Sequence, residues 1–331
     1  MGESIEGRYS RWDYDSLAET TEEMKRGLVS MAFSLDIAGK LSVDESVVSA
    51  YLEDCLSQMP ANPFHNAWHA FDVTQCTYTI LTKSRLCEVM DPIIQLALFL
   101  GAISHDLQHP GTSNTLLVSE NHEWVAQAEE GIGPLESHHC RCALLTLEKH
   151  GVLAKLPDGD CQRVQSVIRR VIYATDIGRH KVVMKNFSEL LCDYEGFDPA
   201  EFFVCSEKGI SLAETIIKAA DISNPSRPFA VASKWNSLCY EEFYAEGDKD
   251  RAAGRQVITL NDREVNNISK SSADFINFLV KGIFVELAEF FHHCEGSSVI
   301  SSAFDEPMRV LLENAETHAS NVAQAKPNGS L

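Results

Sequence analysis

The run PIIQLALFLGAIS, residues 92–104, is apolar almost throughout, so a chain that contains it must build a core around it. Asp91 supplies a cap, Pro92 takes the first helical position, and Pro110-Gly111 ends the segment, so the pattern predicts one helix from Asp91 to the HD pair. At its end HDLQH packs His105, Asp106 and His109 into five positions. Such groups are rarely buried without a partner. No Lys or Arg lies between Arg85 and Arg141. The compensating charge is then a metal ion, or a buried salt bridge to a cation distant in sequence.

The rest of the chain reads as helical. Apolar periodicity near 3.6 recurs in AWHAFDVTQCTYTILTKS, SHHCRCALLTLEKHG, CQRVQSVIRRVIYATD, SLAETIIKAADIS, FAVASKWNSLCYEEFYAEGD and SADFINFLVKGIFVELAEFF, and strand signals are weak, so the expected class is all-α. Neither an internal repeat nor a Pro/Ser/Gly-rich linker divides the 331 residues. We therefore expect one domain over 1–331, with a core of about 16–295 and polar, flexible ends, AKPNGSL being disordered. The segment GDKDRAAGRQVITLNDREVNNISKSS, residues 247–272, reads as a mobile loop.

No stretch reaches the roughly 20 apolar residues of a membrane span. The cysteines lack framework spacing, and Cys140 and Cys142, two apart on a helix, point different ways and cannot share a metal. A reducing, cytoplasmic location is the expectation. Against 28 Lys and Arg stand 48 Asp and Glu, which argues against nucleic acid and acidic membranes as partners. An anionic substrate would need positive charge from another source, a divalent metal being the obvious one.

His65 and His69 lie four apart, as do His105 and His109, and so share helix faces. Taken alone, His65 and His69 read first as locally hydrogen-bonded histidines and only second as ligands. Asp221 ends the small, apolar IIKAAD segment before Asn224-Pro225, where the helix dipole disfavours an anion unless a cation is near. His69, His105, Asp106 and Asp221 together form a mixed imidazole and carboxylate set suited to a zinc-like ion with positions left for water.

These residues fall in a recognisable order. HNxxHxxD at His65–Asp72, HDxxHPG at His105–Gly111, ExHH at Glu136–His139, TD at Thr175-Asp176 and ADISNP at Ala220–Pro225 resemble the catalytic domain of class I 3′,5′-cyclic-nucleotide phosphodiesterases, within the HD-type phosphohydrolases. The resemblance implies an all-α fold with a deep binuclear pocket: Zn held by His69, His105, Asp106 and Asp221, and Mg or Mn sharing Asp106, its waters oriented by His109, Glu136, His139 and Thr175. It further implies hydrolysis of cAMP, cGMP or both by a metal-bridging hydroxide, with His65 as general acid steadied by Glu242. The partner is then a small cyclic nucleotide, and the oligomeric state is open.

The base pocket implied by the resemblance is an apolar clamp of Phe275 against Cys239, with Ile177 and Phe243 as further walls and Asn224 on the purine edge. Phe275 reads equally as a core residue. Two positions depart from the family pattern: Ser272 stands where a purine-reading glutamine is usual, and Phe64 where tyrosine is common. A serine hydroxyl makes one contact where an amide makes two. Two other readings therefore stay open: a metal-binding nucleotide sensor with weak turnover, or an HD phosphohydrolase acting on another phosphoester.

Overall fold

The computed structural model describes residues 5–191, 198–294, 296 and 298–324. Its helices of eight or more residues are α1 (Thr21–Ser34), α2 (Glu45–Ser57), α3 (Ala67–Lys83), α4 (Pro92–Ser104), α5 (Pro134–Lys149), α6 (Asp158–Thr175), α7 (His180–Leu191), α8 (Glu207–Asp221), α9 (Phe229–Ala252), α10 (Ile268–Phe275), α11 (Lys281–His293) and α12 (Asp305–Gln324). Among the described residues there is no strand. None of the helices is long and apolar enough to cross a membrane.

The apolar run becomes the central helix. Every residue of α4 from Ile93 to Ser104 is buried, because α6 and α3 enclose it and leave no polar face to solvent. The approach to α6 is close: a Cβ on Gly101 would lie 2.7 Å from Val171 Cγ2, so this helix position tolerates only hydrogen. Asp91 Oδ1 accepts from the Ile93 N–H at 2.8 Å, which is the cap the sequence predicts.

Helix α3 is buried from His69 to Leu81, polar residues included. Thr74 and Thr79 turn their hydroxyls back onto the carbonyls of Ala70 and Gln75 at 2.8 and 2.9 Å. Asp72 meets the fully buried Arg227 at 3.1 Å, Ser16 at 2.5 Å and the Asn224 amide at 2.9 Å. Arg227 also donates to Gln75 Oε1 at 2.7 Å and to the Trp12 carbonyl at 3.0 Å. One guanidinium thus joins the N-terminal segment, α3 and the turn after α8.

Both ends differ from the flexible tails expected of their polarity. Tyr9, Trp12 and Tyr14 are buried, and Trp12 packs edge-on against Phe304 at 5.4 Å; a few aromatics anchor segments that average as polar. Helix α12 buries Leu311, Asn314 and His318, and Asn314 Nδ2 donates to the carbonyls of Pro225 and Arg227 at 2.7 and 2.8 Å. AKPNGSL lies outside the described residues. The supposed mobile segment 247–272 is shorter as well: α9 continues to Ala252, and Asn261 is buried against Glu246 at 3.2 Å.

Replacing Arg227 by Leu leaves Asp72 buried without its cation and should destabilise the fold by about 3–5 kcal/mol, read as a lowered urea midpoint.

Candidate metal centre and active site

Three helix ends converge on one point. Asn66 caps α3 by accepting from the N–H groups of Trp68 and His69 at 2.9 and 3.2 Å, which puts His69 in its first turn. His105 and Asp106 follow the last residue of α4, and Asp221 ends α8. The carbonyl ends of α4 and α8 add partial negative charge to a spot that already holds two carboxylates.

The donor atoms there are closely spaced. His69 Nε2 lies 3.3 Å from His105 Nε2, 3.4 Å from Asp106 Oδ2 and 3.2 Å from Asp221 Oδ1. His105 Nε2 lies 3.3 Å from Asp106 Oδ2 and 3.4 Å from Asp221 Oδ1. Ligand atoms about 2.0–2.2 Å from one zinc ion sit about 3.0–3.5 Å apart, so the spacing fits a shared cation. The His105 ring directs Nδ1 to the Ala102 carbonyl at 2.8 Å; a carbonyl only accepts, so the proton belongs on Nδ1 and the Nε2 lone pair faces the cluster.

Without a metal ion, protons answer the same demand. Burial opposes charge on His69, but Asp106 and Asp221 outweigh it and raise the imidazole to about 9. His105 moves up and Asp106 and Asp221 move down, again against burial. Metal binding at these residues therefore displaces protons.

Asp106 faces two ways. Its Oδ2 belongs to the cluster just described, while Oδ1 lies 3.7 Å from His139 Nε2, and Asp106, His109 and His139 form a second group with metal-ligand spacing. His139 Nδ1 is 2.7 Å from the Leu107 carbonyl, so it carries the proton. Its Nε2 is buried with no hydrogen-bond partner and faces a carboxylate oxygen. Two facing acceptors call for something positive or hydrogen-bearing between them, and this orphan atom marks the second position as fitted for a hydrated ion. Glu136 is buried and accepts from Asn114 Nδ2 at 2.9 Å; burial, with Asp176 nearby, raises it to about 7. Thr175 is also buried, its hydroxyl donating to the Ile172 carbonyl at 2.7 Å.

His65 stands beside this floor, stacked on His109 with centroids 3.9 Å apart. Its Nδ1 meets Glu242 Oε2 at 2.5 Å, and Glu242 Oε1 accepts the backbone N–H groups of Phe64 and His65 at 2.7 and 2.8 Å. One carboxylate on α9 thus fixes both the ring and the backbone of His65, leaving Nε2 for the pocket. Burial disfavours charge on Glu242, yet His65 and these donors hold it below the usual carboxylate range. His109 Nδ1 accepts the Gly111 N–H at 3.0 Å, so its Nε2 carries the proton and can donate.

The expected base-pocket residues are more dispersed in character. Cys239 and Phe275 are partly buried, and Phe275 packs on the core. Phe243 is half-buried with its ring 5.7 Å from Tyr240, whereas Ile177 is exposed in a short turn. Asn224 is buried and directs its amide nitrogen to Asp72, inward. Ser272 is buried and bonded to both Ile268 and Asn236. His138 stands apart from the centre, stacked on Trp124 at 3.6 Å.

The family described as 3′5′-cyclic nucleotide phosphodiesterase matches residues 64–299. This chain belongs to that family. Over 272 residues it is 30% identical to the mouse "High affinity cGMP-specific 3′,5′-cyclic phosphodiesterase 9A", covering 81% of this chain and 49% of that one. A fruit-fly "3′,5′-cyclic-AMP phosphodiesterase, isoform F" is 28% identical over 234 residues, 70% of this chain and 35% of the relative. The chain thus spans half or less of the length of these curated relatives. The crystal structure of the phosphodiesterase domain of Salpingoeca rosetta rhodopsin phosphodiesterase superposes with a TM-score of 0.80 at 25% identity, covering 95% of this chain and 94% of that domain. The all-α phosphodiesterase fold is therefore that of this chain, and its histidine and aspartate cluster suits the metal dependence of the family.

Several residues of this site escaped sequence reasoning. Asn62 Nδ2 donates to the carbonyls of His65 and His109 at 2.8 and 2.7 Å; its signal was slight, an Asn three residues before a His. Lys218, fully buried, donates to the carbonyls of Ala174, Thr175 and Asp176 at 2.8, 3.3 and 3.0 Å, fixing the Thr175-Asp176 corner. A lysine in the apolar IIKAAD run was the available clue.

Zinc should raise the melting temperature of the metal-stripped protein, and Asp221→Ala should abolish that rise and lower the metal content by about one ion per chain, checked by calorimetry and elemental analysis. In the metal-free protein Glu136 holds its proton to a higher pH than in the unfolded chain, so it costs stability as pH rises from about 4.5 to 7. Glu136→Gln should then be more stable than the parent by on the order of 3 kcal/mol at pH 8 and indistinguishable from it near pH 4, by urea titration.

Proposed function

We propose that this chain hydrolyses 3′,5′-cyclic nucleotides, cAMP, cGMP or both, to 5′-monophosphates, acting as one catalytic domain. The observation that carries this reading is the juxtaposition of a metal-fitted acceptor cluster with the His65–Glu242 pair, whose nitrogen and oxygen lie 2.5 Å apart. The relatives named as cGMP- and cAMP-specific phosphodiesterases support the same chemistry.

In this reading His69, His105, Asp106 and Asp221 hold Zn. Mg or Mn would be held beside Asp106, where His109, Glu136, His139 and Thr175 would orient its waters. Bound there, the two ions supply positive charge for the phosphate oxygens and an activated water for in-line attack. The chain's own residues do the rest. His65, protonated, gives its Nε2 proton to the ribose 3′ oxygen as the phosphorus–oxygen bond breaks. Glu242 keeps that ring oriented. His109, a donor at Nε2, stacks on His65 and limits the ways the ring can turn. Phe64 covers His69 with its ring at 4.7 Å, shielding one side of the floor from water. Phe275 and Cys239 form the apolar clamp for the base, with Phe243, Ile177 and Asn224 at its edges. The nine described cysteines are free, which supports the reducing, cytoplasmic setting expected from the sequence.

Steady-state hydrolysis of both nucleotides with Mg or Mn tests the reading. His65→Asn should lower kcat about 10²–10⁴-fold with metal content unchanged, and Glu242→Gln should lower it less. Absence of metal-dependent turnover of either nucleotide by the parent protein would refute the proposal.

A further inference from the structure

His65 and the histidine it stacks on come from different turns of the chain. His65 lies just before α3, His109 in the turn after α4, and one side chain ties the two turns together. Asn62 Nδ2 donates to the His65 carbonyl at 2.8 Å and to the His109 carbonyl at 2.7 Å. Carbonyls only accept, so the amide must turn one N–H hydrogen to each. Flipped over, it would set three oxygens against one another. Its Oδ1 faces Gly111, where a Cβ would lie 2.9 Å away; glycine at φ +69° leaves the amide its room.

Both turns are fastened from other directions as well. Asn66, the cap of α3, donates its Nδ2 to the carbonyls of Asn62 and Pro63 at 2.9 and 3.0 Å, which fixes the 62–66 turn to the helix that carries His69. The His109 N–H donates to the Asp106 carbonyl at 3.0 Å, which fixes His109 to the helix end that carries His105 and Asp106. Asn62 joins the two, and with them the backbones of His65 and His109.

The spacing of these backbones decides how the rings meet. Their centroids are 3.9 Å apart and their planes 13° from parallel. Glu242 grips the His65 ring at Nδ1 alone, and a ring held at one atom can still tilt about it. Flat contact with His109 removes that tilt. In hydrolysis the oxygen of water bonds to phosphorus, the bond from phosphorus to the ribose 3′ oxygen breaks with its electron pair on that oxygen, and His65 Nε2 gives its proton there and becomes neutral. A misplacement of about 1 Å in such a step costs about 10²-fold.

We infer that Asn62 is a positioning residue for proton delivery: it holds the His65 and His109 backbones together, which keeps the rings stacked and aims His65 Nε2 at the leaving oxygen. The inference rests on the cyclic-nucleotide reading above and deepens it. Aspartate has the same shape but no hydrogen to give, and alanine reaches neither carbonyl, so neither makes the bridge.

The test measures kcat and KM for the metal-loaded parent, Asn62→Ala, Asn62→Asp, His65→Asn and the double variant with Asn62→Ala and His65→Asn. The substrates are the faster of cAMP and cGMP and its analogue with sulfur in place of the ribose 3′ oxygen. A thiolate leaves without a proton, so only the oxygen substrate calls on the acid. Both Asn62 variants should lower kcat about tenfold or more on the oxygen substrate, with KM, metal content and kcat on the sulfur analogue little changed. In the His65→Asn background, Asn62→Ala should cost almost nothing further, because the ring it positions is gone. Either comparison decides where the other gives no measurable rate. Melting temperatures identify any variant that fails to fold, and the two Asn62 replacements differ in shape and charge so that one reports if the other does not. Unchanged kcat in a folded Asn62 variant, an equal loss on both substrates, or a full further loss in the His65→Asn background would overturn the inference and leave the hydrolase reading standing. A parent protein that turns over neither nucleotide refutes the hydrolase reading, and the inference with it.

Discussion

Four acceptors share one buried point: two imidazole nitrogens and two carboxylate oxygens, with five of their separations between 3.2 and 3.4 Å. Brought together bare, they repel, and a positive charge among them, a proton or a metal ion, makes their proximity favourable. They come from the ends of three helices or from the residues just beyond them, His105 and Asp106 both following α4. The packing of α3, α4 and α8 is therefore the same fact as the geometry of the site. A shift of α4 along its axis would move His105 and Asp106 together, and Gly101 against Val171 is one of the contacts that prevents it.

Helix α9 plays the complementary part. Glu242 and Glu246, four apart on one face, take hold of different loops: Glu242 the backbone of Phe64 and His65, Glu246 the backbone and hydroxyl of Ser113 at 2.6 and 2.7 Å. Asn261 joins Glu246 from the far side, and Gly247 permits this because a Cβ there would lie 2.0 Å from the Asn261 carbonyl oxygen. Segments around positions 65, 113 and 261 thus share one rigid support. This is a way to hold a reactive histidine without burying it fully, since a half-buried ring needs a fixed partner to keep one orientation.

The strongly negative chain also finds its balance locally. A phosphate-bearing ligand approaching a surface with twenty more acidic than basic residues is repelled at long range. Attraction has to come from a short-range centre whose charge is concentrated at the pocket floor. The buried cations of the protein serve architecture instead: Arg227 clamps Asp72 and the Trp12 carbonyl, and Lys218, which burial pushes down to about 8, closes the end of α6.

Much of this was written in the chain. The apolar run of α4, its cap at Asp91 and the His-Asp doublet at its end follow from periodicity and from the rule that buried charge needs a partner, so the all-α class and the histidine and aspartate cluster were legible. The order of five motifs carried the family. Residue pairings that cross the chain were not. Nothing local links Arg227 to Asp72, because hydrogen bonds between distant segments leave no period or spacing in the sequence, and the pairing of Glu242 with His65 was implied by the family resemblance alone. The polar averages of the two ends concealed Trp12 and Leu311, since a helix needs only a narrow buried stripe to dock. Position 272 shows the division most clearly. The sequence alone determined that a serine, not an amide, stands there; only the tertiary structure decided what that hydroxyl meets, the Ile268 carbonyl at 2.6 Å and the Asn236 side-chain nitrogen of another helix at 2.8 Å, because a contact between distant segments leaves no local pattern in the sequence.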